Sequence, residues 1–305
     1  MRFLYYKYII IISLLILIFF KLNYLKKIKV CLCTIGKKEN LYAREYVDYY
    51  KNLGISKIFI YDNNDKNDEK FELVLKDYID NGFVEILNIR GKIAPQVKAM
   101  EDCRKKNFKK FDWLIFYDMD EFIFLRNYSN ILDYLSQKIF DKCKIIQLNW
   151  FVHTDNNLIY YDNRTLRERF PEKKKEKNGK KLPGSRLIKS ILKGNIDTKI
   201  KTIHELTHKL IGCDGFGKIR KSQGMRANKT DHYYYYIDHY WSKSTEEFVN
   251  KLIKGDAVLG YNTYQNNMGR IKMYFKYNKI TKEKIDYIEN RTKYNLTKYR
   301  LMIKE

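Results

Sequence analysis

Four short apolar runs, rich in β-branched and aromatic residues, constrain what this chain can fold into more than any other feature. They are KVCLCTI at residues 29–35, KIFIY at 57–61, VEILNI at 84–89 and WLIFY at 113–117. Runs of that length with little polar alternation predict strands buried on both faces. Between the first two, Tyr42, Tyr46, Tyr49, Tyr50 and Leu53 recur at helical spacing and Gly54 follows. That pattern predicts a helix over 40–53 ended by a glycine. Residues 71–79 repeat it ahead of Asn81-Gly82, and Pro95 suits the first turn of a helix through Val97, Met100 and Cys103. A further helix is predicted over 129–140. Strands alternating with helices predict an α/β fold, a mostly parallel sheet with helices on both faces. Ligands of such sheets sit beyond the carboxyl ends of the strands. The polar residues to watch are therefore 34–40, 62–65, 90–96 and 118–121.

Past residue 143 the alternation fades. Residues 145–151 and 186–192 read as strands, and the lysine-rich stretch between them as a loop. Ser244-x-x-Glu247 is a capping box opening a helix through Phe248, Val249, Leu252 and Ile253, with Gly255 beyond its end. One catalytic domain is expected over 28–260, and a basic, tyrosine-rich, partly helical extension over 261–305. Residues 3–20 are apolar or aromatic except for Lys7 and Ser13, close to the shortest length that spans a bilayer. No small-x-small cleavage site follows, only the basic stretch with Lys21, Lys26 and Lys27. Residues 1–27 are thus expected to be a single-pass membrane anchor with a short basic linker. Positive charge on both flanks leaves its orientation open.

Lys and Arg number 60 against 36 Asp and Glu, a net charge of +24. Such a balance suits nucleic acid, an anionic membrane or acidic small molecules. The lysines are spread along the chain and no zinc-finger, bZIP or RNA-recognition signature accompanies them, so no nucleic-acid partner is expected. Cys31, Cys33, Cys103, Cys143 and Cys213 match no zinc spacing. Their odd number argues against a disulfide framework, and buried thiols are expected.

The chemistry concentrates at Asp118-Met119-Asp120-Glu121, where the WLIFY run ends. Two carboxylates at i and i+2 can converge on one hard cation, Mg²⁺ or Mn²⁺, which takes oxygen ligands and bridges to phosphates. A solvated acidic turn is the bland alternative. Buried neighbours on both sides weigh against it, because charge there must be paired or metal-bound.

Several segments together resemble a GT-A glycosyltransferase of family 92 or of the related family 2 enzymes. They are Cys33-Thr34-Ile35-Gly36-Lys37-Lys38-Glu39-Asn40, Arg44-Glu45-Tyr46-Val47-Asp48-Tyr49-Tyr50, Leu53-Gly54-Ile55 and Ile60-Tyr61-Asp62-Asn63. Gln96, Trp113, the Asp118–Glu121 segment, Asn149-Trp150, Glu168-Arg169-Phe170, Lys189 and His204 continue the likeness. The segment from His239 through Lys243-Ser244 and Glu247-Phe248 to Lys251 completes it. The resemblance implies a metal-dependent transferase, using Mn²⁺ or Mg²⁺, that moves a sugar from a nucleotide-sugar donor to a glycan or glycoconjugate acceptor with inversion. It implies that Thr34, Glu39, Asp62, Gln96 and Asp118 line the donor pocket. Asp118 and Asp120 would hold the metal with His239, or alternatively His204. Lys189 or Lys243 would assist. The carboxylate that deprotonates the acceptor would be Glu168, with Asp155 and Asp214 as alternatives.

Two other classes compete. A metal-dependent nucleotidyltransferase or nuclease also pairs carboxylates with a basic surface, and it would bind DNA or RNA with strong salt dependence. A non-catalytic binding protein on a decayed transferase fold would have lost the metal carboxylates, and both are present.

Overall fold

The structure, a computed structural model, describes residues 28–174, 185–202, 204–206, 210–220, 225–227, 229–255 and 263–303. The expected anchor, residues 1–27, lies outside them. Among the described residues no helix is long and apolar enough to cross a membrane.

The four apolar runs form β1 (Val30–Gly36), β2 (Lys57–Asp62), β3 (Val84–Asn88) and β4 (Trp113–Phe116). They lie side by side and parallel in the order β3-β2-β1-β4. β1 is buried along its whole length, and its side chains alternate between two cores. Val30 and Leu32 join Tyr46, Val47 and Tyr50 of α1 (Asn40–Asn52), with Leu75 of α2 (Glu72–Asp80). Cys31 and Cys33 face Ala99, Met100 and Cys103 of α3 (Gln96–Asn107). The period-2 alternation thus assigns each helix to a face.

The remainder of the sheet is mixed. β5 (Glu121–Leu125) follows β4 after a tight turn, then come β6 (Ile145–Val152), β7 (Ile188–Lys193), β8 (Ile200–Thr202), β9 (Glu205–Leu206), β10 (Gly212–Cys213) and β11 (Tyr235–His239). The order continues β4-β7-β6-β11-β5, with β10 paired to β6 and β8-β9 a separate ribbon. β7 is antiparallel to both β4 and β6, and β5 is antiparallel to β11. The mostly parallel expectation therefore needs correcting in this half, where turns and loops replace crossover helices and allow antiparallel neighbours. The helix expected over 129–140 is a short α4 (Ile131–Leu135) followed by a 3₁₀ turn.

The cysteine expectation also fails. Cys33 is bonded to Cys103 and Cys143 to Cys213, leaving Cys31 as a buried thiol. Each pair is 70 residues apart in sequence, so only the fold reveals it. Cys33 and Cys103 meet because one face of β1 packs on α3.

After the small α5 (Leu166–Arg169), the chain ends in α6 (Thr245–Lys254), α7 (Tyr264–Tyr277), α8 (Lys282–Thr292) and α9 (Thr297–Arg300). These four pack into a core of their own around Phe248, Leu252, Ile271, Tyr274 and Ile288. Lys284 of α8 and Tyr274 of α7 both reach the buried carboxylate of Asp155 at 2.5 Å, tying that bundle to the loop after β6.

Candidate active site

β4 ends at Phe116 and β5 begins at Glu121, so Asp118-Met119-Asp120 is the turn between two buried strands. The Glu121 N–H donates to the Asp118 carbonyl at 3.1 Å, and the Asp118 N–H donates back to the Glu121 carboxylate at 3.1 Å. The buried Met119 packs close to Gly36, where a Cβ would come within 2.9 Å of its sulfur and 2.5 Å of Phe71. That leaves Asp118 and Asp120 facing a cavity of about 340 Å³ beyond the carboxyl ends of β1 and β4.

The two carboxylates have different partners. Asp118 accepts from Gln96 Nε2 through one oxygen and from Lys189 Nζ through the other, both at 2.7 Å. Lys189 is fully buried and also lies 3.3 Å from the fully buried Glu121. Burial works to lower the Lys189 pKa, but Asp118 and Glu121 outweigh it and hold the ammonium above its usual value. Burial pushes the Glu121 carboxyl well up, against the pull of Lys189. Asp120 takes Lys251 Nζ at 3.0 Å. Burial would raise the Asp120 pKa, yet Lys251 and His239 bring it well below the carboxylate range.

Basic groups stand among these acids. Lys37, Lys92, Lys251, Lys254 and Arg270 line the cavity, together with Trp150, Trp241 and His239. Glu39, at the start of α1, binds Lys243 at 3.0 Å and Lys254 at closer range. Burial opposes its ionisation, but those two ammonium groups hold its carboxyl below the usual value. Three non-glycine residues with positive φ lie on or next to this lining: Ala94 at 49° lines the cavity, Lys38 at 54° sits between the lining residues Lys37 and Glu39, and Lys243 at 54° pairs with Glu39. Backbone held there costs about 1 kcal/mol each and tends to collect at functional sites.

The expected donor residues separate into two sets. Glu39, Gln96 and Asp118 line the cavity. Thr34 is buried at 2% exposure and lies behind it. Asp62 is held by Arg90 at 2.7 Å and by the Asn64 N–H at 2.9 Å, and its neighbour Asn63 lines the cavity instead. Glu168 does not line it. Its carboxylate closes a capping box with Thr165 on the exposed side of α5. Asp155 is spent on Lys284 and Tyr274, and Asp214 caps a turn through the N–H groups of Phe216 and Lys218. None of the three carboxylates expected as base faces the donor side.

Of the two histidines, β11 turns His239 towards Asp120 and Asp238 to the opposite face, where it pairs with His153 and Lys173. His239 Nε2 is 3.6 Å from Asp120 Oδ1, and its buried Nδ1 has no hydrogen-bond partner among the described residues. Burial lowers its pKa, against the pull of Asp120. His204 instead hydrogen-bonds the Ile188 carbonyl at 2.7 Å, and burial takes its pKa down to about 4. The Trp150 ring contacts both, and its buried Nε1–H has no acceptor among the described residues. Among the described residues no group of three or more His, Cys, Asp or Glu is arranged to hold a metal. Asp120 and His239 still fit a divalent cation, as a carboxylate and a neutral imidazole on one wall. Mg²⁺ and Mn²⁺ commonly take their other ligands from water and phosphate. Asp118 has one partner on each oxygen, Gln96 and Lys189, and each oxygen keeps a lone pair that can face the cavity.

Lys251 closes the family-like segment but was given no role from sequence, and Lys254 and Arg270 were not singled out. The lysines lie at i and i+3 on α6, the spacing of one helix face.

The sequence pattern that defines glycosyltransferase family 92 matches residues 26–296. A glycosyltransferase family 92 protein of Ricinus communis is 32% identical over 109 residues, covering 34% of this chain and 19% of that protein. One from Arabidopsis thaliana is 30% identical over 104 residues, covering 32% and 17%. The match thus spans less than a fifth of the length of these relatives. Among solved structures, S. aureus TarS in complex with UDP-GlcNAc is similar with a TM-score of 0.37 and 10% identity, covering 87% of this chain and 79% of that one. A mannosyltransferase from Pyrobaculum calidifontis with GDP-Man and Mn²⁺ gives a TM-score of 0.31 and 7% identity, covering 41% and 36%.

Proposed function

The chain belongs to glycosyltransferase family 92, and from that premise we propose that it moves a sugar from a nucleotide-sugar donor, a UDP-sugar first, to a hydroxyl of a glycan, lipid-linked or protein acceptor. The observation that carries the reading is the cavity at the ends of β1 and β4, lined by both acidic and basic side chains with Trp150, Trp241 and His239 among them. A nucleoside diphosphate needs that arrangement, because negative charge grows on it as the sugar leaves.

Lys251, Lys254 and Arg270 supply positive charge around the diphosphate without the reorganisation that water would require. Asp118, held by Gln96 and Lys189, is a fixed acceptor for donor hydroxyls. The Trp150 indole N–H, without an acceptor among the described residues, is a donor for an oxygen of the sugar or phosphate. Asp120 and His239 would hold Mn²⁺ or Mg²⁺, which when bound adds Lewis-acid charge at the leaving diphosphate. The inverting course comes from the family likeness, and its base belongs among the cavity acids, since Glu168 stands elsewhere. Residues 3–20 would anchor the chain in a membrane.

The test is release of nucleoside diphosphate from a panel of UDP- and GDP-sugars, with Mn²⁺ and with EDTA, for the wild type and Asp120→Ala. The expected result is turnover of one donor, lost with EDTA and reduced at least about 100-fold in a variant that still melts cooperatively. No release and no donor-induced rise in melting temperature would overturn the transferase reading. Salt-dependent binding of DNA or RNA would then favour the nucleotidyltransferase class.

A further inference from the structure

The end of the sheet opposite the cavity has a composition of its own. β1 and β4 begin there, β7 ends there, and β6 and β10 begin there, as the pairs Val30–Trp113, Trp113–Lys193, Ile145–Leu192 and Gly212–Ile145 require. Backbone hydrogen bonds make this end one continuous floor. The Asp112 N–H donates to the Lys29 carbonyl at 2.8 Å, Gly194 N–H to Asp112 at 2.7 Å, Lys193 N–H to Lys144 at 2.9 Å and Lys144 N–H to Ile211 at 2.8 Å. Gly217 lies against Ile139, so close that a Cβ would fall 2.6 Å from its carbonyl oxygen.

Two kinds of side chain project from this floor. Lys29, Lys109, Lys110, Lys138, Lys142 and Lys218 are exposed. Among them stand exposed apolar groups, Ile139 at 51%, Ile211 at 46%, Phe216 at 47% and Ile219 at 57%. The acids nearby are fewer. Asp112 binds the Lys29 N–H, Asp214 caps its turn, and Asp141 and Asp197 remain exposed. Lysines mixed with exposed Ile and Phe match an interface with anionic lipid, where apolar groups enter the headgroup boundary and ammonium groups meet phosphates. The described chain starts at Ile28 on this same floor, directly after the basic linker and the apolar stretch 3–20.

We propose that this end of the sheet lies on an anionic lipid bilayer, with the cavity facing away from it. The proposal rests on the reading of residues 3–20 as an anchor, and it is independent of the donor chemistry. Tethering alone would let the domain hang in any orientation. The lysines fix one, each adding about fivefold to surface affinity at low salt.

The test uses the full chain in vesicles of phosphatidylcholine alone or with about 30% phosphatidylglycerol. Amine acetylation is followed by mass spectrometry at Lys29, Lys109, Lys110, Lys142 and Lys218, with Lys66 and Lys282, far from this end, as internal controls. The expected result is modification slowed about threefold or more at the first five only, in anionic vesicles only, and restored by high salt. The combined Lys109→Glu, Lys110→Glu, Lys142→Glu and Lys218→Glu variant should still float with vesicles but lose protection at Lys29. Phe216→Ser, a single exposed change, should weaken protection in the same direction. Failure of the wild type to float would remove the anchoring premise. Floating with equal modification of all seven lysines would overturn the docking and leave the anchor standing. Protection that persists in detergent and rises with protein concentration would assign the surface to a second copy and likewise overturn the proposal.

Discussion

Lys189 is fully buried, with Asp118 at 2.7 Å and Glu121 at 3.3 Å. An ammonium in that position is tolerated because of its two acidic neighbours, and they in turn depend on it. Lys189→Met should therefore destabilise the fold by about 3–5 kcal/mol, the usual cost of leaving a buried charge without its partner. Pairing it with Glu121→Gln should recover part of that loss, since the remaining acid is then only Asp118. Urea denaturation of both variants checks this, and equal stability of the single and double variants would show that Glu121 is not part of the pair. Asp118, Asp120 and Gln96 were legible at this scale because they follow strand ends, where the fold class places ligands. Lys254 and Trp241 were not, because they arrive from elements more than a hundred residues further along the chain. Nothing local distinguishes a lysine that meets a carboxylate across the fold from one that meets water.

Among the elements, α6 carries the clearest local signal and a direct line to the site. Ser244 accepts from the Glu247 N–H, Glu247 accepts from the Ser244 N–H, and Lys251 and Lys254 on the same helix reach Asp120 and Glu39. Ser244→Ala should cost about 1 kcal/mol, visible as a lower melting temperature, and should weaken donor binding through the displaced lysines. An unchanged melting temperature would mean the cap is redundant. Cys103→Ser tests another element, since the Cys33–Cys103 bond holds α3, and with it Gln96, against β1. It closes a loop of 70 residues, so its loss should cost about 3–4 kcal/mol in urea. The first four strands were readable because each is a bounded apolar run. β5 and β11 were not. The acidic turn hides the start of β5, and the Tyr233–Tyr236 run shows no period that separates a strand from a loop.

For the whole molecule, pH dependence follows from carboxylates held below their ordinary range. Burial opposes ionisation of Glu247, yet hydrogen bonds from Arg169 at 2.7 and 3.0 Å and the charge of Lys243 depress its pKa. Asp238, Asp120 and Glu39 behave likewise. A folded pKa below the unfolded value contributes stability that is complete above the unfolded value, about 4 for these groups. That contribution is lost as pH falls through the folded value. These carboxylates should therefore make melting temperature drop steeply below about pH 4. The lowered His204 and His239, which stay neutral in the fold while the unfolded chain protonates, add a decline that starts at about pH 6.5. Glu247→Gln should already melt lower at neutral pH and show a shallower acid limb. A drop of equal steepness would place the acid sensitivity elsewhere.

One further consequence follows from β1, which runs from the lysine-rich end to the cavity in seven residues. At about 3.3 Å per residue, that strand is a spacer of roughly 20 Å. A domain resting on a bilayer by its lower end would act as a ruler, able to reach a hydroxyl held at that height and blind to one lying in the headgroups. Acceptors would then be sorted by how far they stand from the membrane before any contact with the sugar is made.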